Sequence, residues 1–177
     1  MGDLRFERFV TEQAEELVDW LLSETWPFHG ATRPDRAKLL ERVESGFFLG
    51  EHVETWWGLL GDERVAFVRL FDLEDETPLF DLRLREAFRG RGLGAATLRW
   101  LTEHVFTKHE HCIRVAGYTR EDNAAMRATF QRCGYVKEAR HRGVWDRPDG
   151  PNLDAVGYAI MKCDWESGTT TPLRWEE

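Results

Sequence analysis

The chain has 177 residues, with 24 Lys and Arg against 32 Asp and Glu for a formal net charge of −8. That length suits one domain, and 42% hydrophobic residues is the content of a folded chain rather than an acidic disordered one. No apolar run reaches the ~18 residues that a bilayer requires, the first residues carry no signal segment, and an acidic balance disfavours nucleic acid, whose phosphates need a basic field. The expectation is an untargeted cytoplasmic protein with no nucleic-acid and no membrane partner.

Leu4 and Phe6 read as a short strand. From Thr11 to Leu22, Ala14, Leu17, Val18, Leu21 and Leu22 recur at helical spacing, with Thr11 as the N-cap. The segment from Ser23 to Gly30, containing Trp26, Pro27, Phe28 and His29, interrupts this helix. A second amphipathic helix runs from Pro34 to Ser45. Thr55 to Leu60 and Arg64 to Leu73 form a hairpin across Gly61-Asp62, and Leu79 to Leu84 make a further strand. The second half alternates: a helix from Gly92 to Phe106, a strand from Cys112 to Tyr118 and a helix from Asn123 to Arg132. Strands from Val136 to Trp145 and Ala155 to Lys162 follow, joined by the turn-rich stretch 146–152. After Trp165 periodicity is lost. The order β-α-α-β-β-β-α-β-α-β-β describes an α/β domain on a mixed sheet over residues 1–165, with a tail at 166–177.

Eight tryptophans include Trp20, Trp26, Trp56 and Trp57 in the first third, beside Phe28, Phe47 and Phe48. Such aromatics are mostly core, with a minority available to line a ligand cleft. Cys112, Cys133 and Cys163 form no CxxC pair and fit neither a disulfide framework nor a zinc site. They read as reduced, mostly buried thiols, and no metal is expected.

The most informative stretch is LRLREAFRGRGLGAATLRWL. A strand ends, a polar turn follows, and Gly90, Gly92 and Gly94 open a helix. Glycines allow positive φ and a close approach of the backbone, so successive N–H groups converge on one anion where the helix dipole is positive. Arg89 and Arg91 add countercharge. The loop suits a pyrophosphate. A dinucleotide-binding fingerprint is matched in letter by Gly90-x-Gly92-x-x-Ala95, but residues 85–89 separate it from the strand, and no strand ending in an acidic residue follows at the right distance. A P-loop is excluded, because no Gly-Lys-Ser/Thr is present.

The segment Arg89-Gly90-Arg91-Gly92-Leu93-Gly94 resembles the acetyl-CoA loop of the GNAT acetyltransferases. A second block, NAAMRATFQRCGYVKE, is similar to that family's Asn, helix, basic residue and Gly-Tyr sequence. The closing HRGVWDRPDGPNLDAVGYAIMKCDW is similar to the last hairpin of the branch containing ribosomal-protein N-terminal acetyltransferases. The resemblance spans roughly Val65 to Trp165. It implies a GNAT-like acyl-CoA N-acyltransferase fold and acetyl-CoA as cofactor. In that frame main-chain groups of Leu82 and Leu84 pair with the pantetheine arm, and N–H groups from Arg89 through Gly90, Arg91, Gly92, Leu93 and Gly94 to Ala95 hold the pyrophosphate. Asn123 touches pantetheine, a role compatible with its being a helix N-cap, and Arg132 approaches the nucleotide end. Many members pair as homodimers, and the tail is a candidate for such an interface.

What the resemblance implies chemically is acetyl transfer to a primary amine by direct attack in a ternary complex. Phe130 stands where the family's usual general-acid tyrosine lies and cannot donate a proton, so water, Tyr118 or Tyr135 must serve. Asp81, the carboxylate inside the strand before the loop, is the candidate catalytic residue. It would act as a base, directly or through water, or as an anchor for substrate charge; its alternative is a salt bridge to Arg83. His29 lies in the segment that often covers the acceptor site in this family. The acidic balance, Asp81 and the clustered aromatics favour a small cationic amine, an aminoglycoside-like sugar among them. A protein or peptide N-terminus and a non-catalytic acyl-CoA-binding domain are the alternatives.

Overall fold

The computed structural model describes residues 3–30, 32–147 and 150–174. Seven strands alternate with helices along the chain: β1 Leu4–Arg8, α1 Ala14–Leu22, α2 Arg36–Glu44, β2 Glu54–Leu60, β3 Glu63–Phe71, β4 Leu79–Leu84, α3 Leu93–Lys108, β5 Arg114–Arg120, α4 Ala124–Arg132, β6 Val136–Trp145, β7 Leu153–Met161 and α5 Lys162–Ser167. They form one sheet in the order β1-β2-β3-β4-β5-β7-β6, in which only β4 and β5 run parallel. The mixed α/β fold is the one the sequence implies, with the strands and helices of the expected order all present.

Strand alternation assigns the two faces of the sheet. Trp57, Leu59 and Phe67 point to one face and meet Leu17, Val18, Leu21 and Leu39 of α1 and α2, with Trp20, Trp26 and Phe48 buried among them. Val68, Leu70 and Val115 point to the other and meet Leu98, Leu101 and Val105 of α3 and Phe130 of α4. The tryptophan-rich first third is therefore chiefly core. Trp26 is 1% exposed and donates from Nε1 to the Leu21 carbonyl at 2.8 Å, which satisfies its one polar atom at the point where α1 ends.

Helix starts follow local chemistry, with one correction. Asp35 caps α2 by accepting from the Lys38 amide at 3.0 Å, and Asn123 caps α4 by accepting from Met126 at 3.2 Å, each worth ~1 kcal/mol. Thr11 is not a cap: it opens a 3-10 turn, Thr11–Gln13, and α1 begins only at Ala14. The strand expected from Cys112 starts two residues later, because the Cys112 amide closes a turn onto His109 and the amides of Ile113 and Arg114 both reach Glu76. Strand β7 likewise starts two residues earlier and gives way to α5 at Lys162.

Helix α5 was not legible as an element. Its Trp165 packs on Phe106, with ring centroids 5.4 Å apart, and Asp164 accepts from the amide and hydroxyl of Thr171. It runs across the expected boundary between residues 165 and 166. Cys112 is buried, Cys133 half-buried and Cys163 exposed, so the thiols are less uniformly buried than expected. Pro148 and Asp149 of the 146–152 turn, and the last three residues of the tail, lie outside the described residues. No described helix is long and apolar enough to cross a membrane.

Candidate active site

Strands β4 and β5 touch only at their beginnings. Leu79 and Ala116 are the one registered pair, and beyond it the strands diverge. On its other side β4 stays paired with β3 as far as Leu84, and Arg85 donates to Val65 at 3.0 Å. In an antiparallel ladder alternate residues point their main-chain groups to opposite sides. With residue 85 bonded to β3, residues 82 and 84 turn theirs toward the gap. The expected edge at Leu82 and Leu84 is therefore open to β5's side.

The divergence leads to the glycine loop. Gly90 and Gly92 have φ of +72° and +82°, a region that costs glycine little and L-residues more, and a Cβ added at Gly90, Gly92 or Gly94 would meet nothing within 4 Å. Gly92 caps α3 without a side chain to satisfy the first amides. Among the described residues the amides of Gly90, Arg91, Gly92, Leu93, Gly94 and Ala95 have no hydrogen-bond partner, whereas the Arg89 amide, expected to join them, already donates to Glu86 at 3.1 Å. The run of free amides thus begins at Gly90, one residue after Arg89. Its members combine the free N–H groups of a helix start with the positive end of a 16-residue helix.

The loop between α1 and α2 bridges the gap. Arg120 of β5 donates to the Pro27 carbonyl at 2.9 Å and stacks on Phe28, while His29 reaches β4. His29 Nε2 lies 3.2 Å from Asp81 Oδ1 and 3.3 Å from the Leu82 carbonyl oxygen; both are acceptors, so that nitrogen carries the proton. Beneath the loop is a cleft of about 290 Å³ lined by His29, Asp81, Arg83, Arg69, Tyr118, Asn123 and neighbouring aromatics.

Asp81 is bound on both oxygens, by His29 on one and by Arg83 Nη2 on the other at 2.9 Å. Burial works against its charge, but the Arg83 guanidinium and His29 outweigh it and hold the carboxyl well below the usual carboxylate range. The ion pair with Arg83, the alternative weighed from the sequence, is present, and Asp81 lines the cleft as well. Of the three tyrosines, Tyr135 is buried, shares a 2.8 Å hydrogen bond with Thr102 and is pushed up by burial, and Tyr158 is buried beside Arg127. Tyr118 alone lines the cleft, and it is 51% exposed.

Other expected site residues stand elsewhere. Phe130 is fully buried and stacks on Tyr158 with centroids 4.6 Å apart, so its ring faces the core. Arg132, expected toward the nucleotide end rather than in the cleft, lies in the last turn of α4, where its carbonyl accepts from Arg99 of α3 and the next residue, Cys133, meets the Ala95 carbonyl in the first turn of α3. Asn123 does line the cleft, and its Nδ2 donates to Thr119 at 3.0 Å. Arg89 Nε donates to the Leu84 carbonyl at 3.0 Å. Sequence reasoning did not single out Arg69, which needed the cross-strand register to appear. Away from the cleft, Glu54, His104 and His109 bring three metal-capable atoms within 4.8 Å of one another. Glu54 Oε2 accepts from Trp56 and His104 and Oε1 faces Arg8, whereas His109 Nε2, 3.5 Å from Oε1, is buried without a hydrogen-bond partner among the described residues.

The sequence profile described as the acetyltransferase (GNAT) family matches residues 14–135. The chain belongs to this family. A curated relative, mycothiol acetyltransferase of Corynebacterium efficiens, is 29% identical over 126 residues, which are 69% of this chain and 41% of that protein. The chain thus spans about two-fifths of that relative's length. A spermidine N-acetyltransferase chimera of Vibrio cholerae SpeG and hSSAT superposes with a TM-score of 0.80 over 93% of this chain and 99% of its own, at 11% identity. A ribosomal L7/L12 alpha-N-protein acetyltransferase, RimL, in complex with coenzyme A gives 0.73 over 91% and 95%, at 15% identity. At such identities these likenesses establish a shared fold. The GNAT family uses acetyl-CoA, and the residues present fit it: a run of free amides at a helix start adjoins a strand edge that pairs with no other strand, its Leu82 and Leu84 carbonyls held only by the His29 and Arg89 side chains, and that edge leads to a polar cleft.

Proposed function

We propose that the protein transfers an acetyl group from acetyl-CoA to the primary amine of a small molecule that is cationic at its attacking nitrogen. The observation that carries this reading is the run of six unpartnered amides, Gly90 to Ala95, at the mouth of a strand gap that ends beside Asp81. Those amides hold the pyrophosphate. Main-chain groups of Leu82 and Leu84 pair with the pantetheine arm, for which Arg89 and His29 release the two carbonyls. Asn123 flanks that arm from the start of α4. When bound, acetyl-CoA supplies a thioester as the activated acetyl group.

Asp81, held ionised by Arg83 and His29, attracts the ammonium and orients it. With both oxygens already engaged by His29 and Arg83, Asp81 orients the ammonium rather than taking its proton, and the nitrogen loses its first proton to water in the open cleft. The N–C bond then forms as the C–S bond breaks. Of the two protons the ammonium gives up in all, one ends on sulfur and the other in solvent. Tyr118, the tyrosine that lines the cleft, is the proposed donor of the sulfur's proton.

The test is release of free thiol from acetyl-CoA in the presence of panels of small primary amines and of peptides, with mass detection of the acetylated product. Amine-dependent release supports the reading. Turnover of peptides alone replaces the small amine by a protein N-terminus, and tight coenzyme binding without any turnover replaces the enzyme by a binding domain.

A further inference from the structure

Arg69 of β3 sits directly opposite Asp81 of β4, on the sheet face that carries the cleft. Its guanidinium is clamped between two rings, with Cζ 3.6 Å from the Phe47 centroid and 4.3 Å from that of Phe71. Its Nε donates to the Phe47 carbonyl. The residue is only 9% exposed, yet neither Nη group has a hydrogen-bond or ion-pair partner among the described residues, and neither is sealed from open space.

A buried cation without a counter-ion is costly to a fold that gains nothing from it. The cost shows in the guanidinium itself, which burial pushes down to about 10. The carboxylate opposite, Asp81, turns toward Arg83 and His29 and makes no ion pair with Arg69, although its charge is felt there. What remains is a planar fork of N–H donors, fixed in orientation by two aromatic faces and aimed into a small cleft. Carboxylate and phosphate groups bind such forks through two parallel hydrogen bonds.

The geometry points to an acceptor that is a small zwitterionic amine, its ammonium drawn to Asp81 and a carboxylate or phosphate seated on the Arg69 fork. This rests on the cleft being the acceptor site of the proposed acetyl transfer, and it narrows that reading. The chain's overall charge of −8 does not decide the local field: among the side chains lining the cleft Arg69 and Arg83 stand against Asp81, and outside the lining Asp72 and Arg42 act on Arg69 with opposite signs. An aminoglycoside-like polycation is disfavoured there.

The experiment compares kcat/KM of the wild-type protein, calculated on the unprotonated form of each amine, for pairs differing in an anionic group: γ-aminobutyrate against butylamine, and O-phosphoethanolamine against ethanolamine, with spermidine as a polycation. The anionic member of at least one pair is expected to be favoured roughly tenfold or more, and which pair shows it distinguishes carboxylate from phosphate. Arg69→Gln is expected to collapse that ratio toward one. Arg69→Lys, which keeps the charge and loses the fork, is expected to give a ratio in between. The wild-type comparison needs no variant and stands if both substitutions prevent folding. Equal turnover within both pairs, or a preference for spermidine, overturns the inference and leaves acetyl transfer to amines intact. Acetylation of none of these amines overturns the inference together with the reading beneath it.

Discussion

Arg69 and Asp81 face each other across β3 and β4 and do not pair. Asp81 turns along its own strand to Arg83 and up to His29 in the loop above, while Arg69 turns back between Phe47 and Phe71. Neighbouring opposite charges on one sheet face attract, so their separation needs a cause, and the aromatic clamp on one side and the ion pair on the other supply it. The result is a cleft with a fixed anion and a free cation side by side, above the place where the sheet opens.

Gly92→Asp tests the anion nest. A Cβ there meets open space and aspartate tolerates positive φ better than most residues, so the fold survives, with melting lowered by the equivalent of ~1 kcal/mol. A carboxylate among the amides repels a diphosphate, and affinity for coenzyme A measured by calorimetry falls on the order of 100-fold. Unchanged affinity in a folded variant removes the nest from the account.

Asp81→Asn keeps the shape of the side chain and removes its charge. The expected outcome is a fall in kcat/KM for the amine of about 10–100-fold, with coenzyme affinity near that of the wild type. His29→Gln acts through the same carboxylate, so the double variant loses less than the product of the single losses. Because the proton leaves to water, kcat/KM rises with pH in proportion to the unprotonated amine up to that amine's own pKa. A plateau well below it would restore a protein base to the mechanism.

Tyr118→Phe removes the one tyrosine hydroxyl in the cleft and lowers kcat by about tenfold in a thiol-release assay. Tyr135→Phe leaves kcat alone and costs ~1 kcal/mol of stability through the lost bond to Thr102. The opposite pattern would move the acid to Tyr135.

Glu54 gives the fold a dependence on acid. Burial opposes its charge, but bonds from His104 and Trp56 and the nearby charges outweigh it, lowering its pKa from 4.5 to about 2. A depressed pKa stabilises above the unfolded value and the contribution is lost as pH falls through the folded one, so here the window is pH 4.5 down to about 2. Urea unfolding is expected to show Glu54→Gln less stable by ~2 kcal/mol at pH 7, with the gap closing across that window. A gap independent of pH would assign Glu54's role to packing.

The glycine loop was legible because Gly90 and Gly92 occupy left-handed positions that ordinary side chains resist, and the core strands because their alternation is strong. Arg69 was not. Alternation places it on a face but does not say whether the carboxylate opposite is free, and that depends on Arg83 and on His29 arriving from a loop about fifty residues away in sequence. Helix α5 was missed for a related reason: it has six residues, too few to hold on propensity, and it rests on Phe106 and Thr171. The strand at Cys112 began late because its first amides are spent on turns, which hydrophobicity does not report.

The most direct measurement is a titration of isotope-labelled protein with coenzyme A, following each backbone amide by NMR. The account predicts that Gly90 to Ala95 shift most, with Leu82 and Leu84 next and the Arg69 neighbourhood little changed until an acceptor is added. Saturable binding that leaves the Gly90 to Ala95 amides unmoved would contradict it.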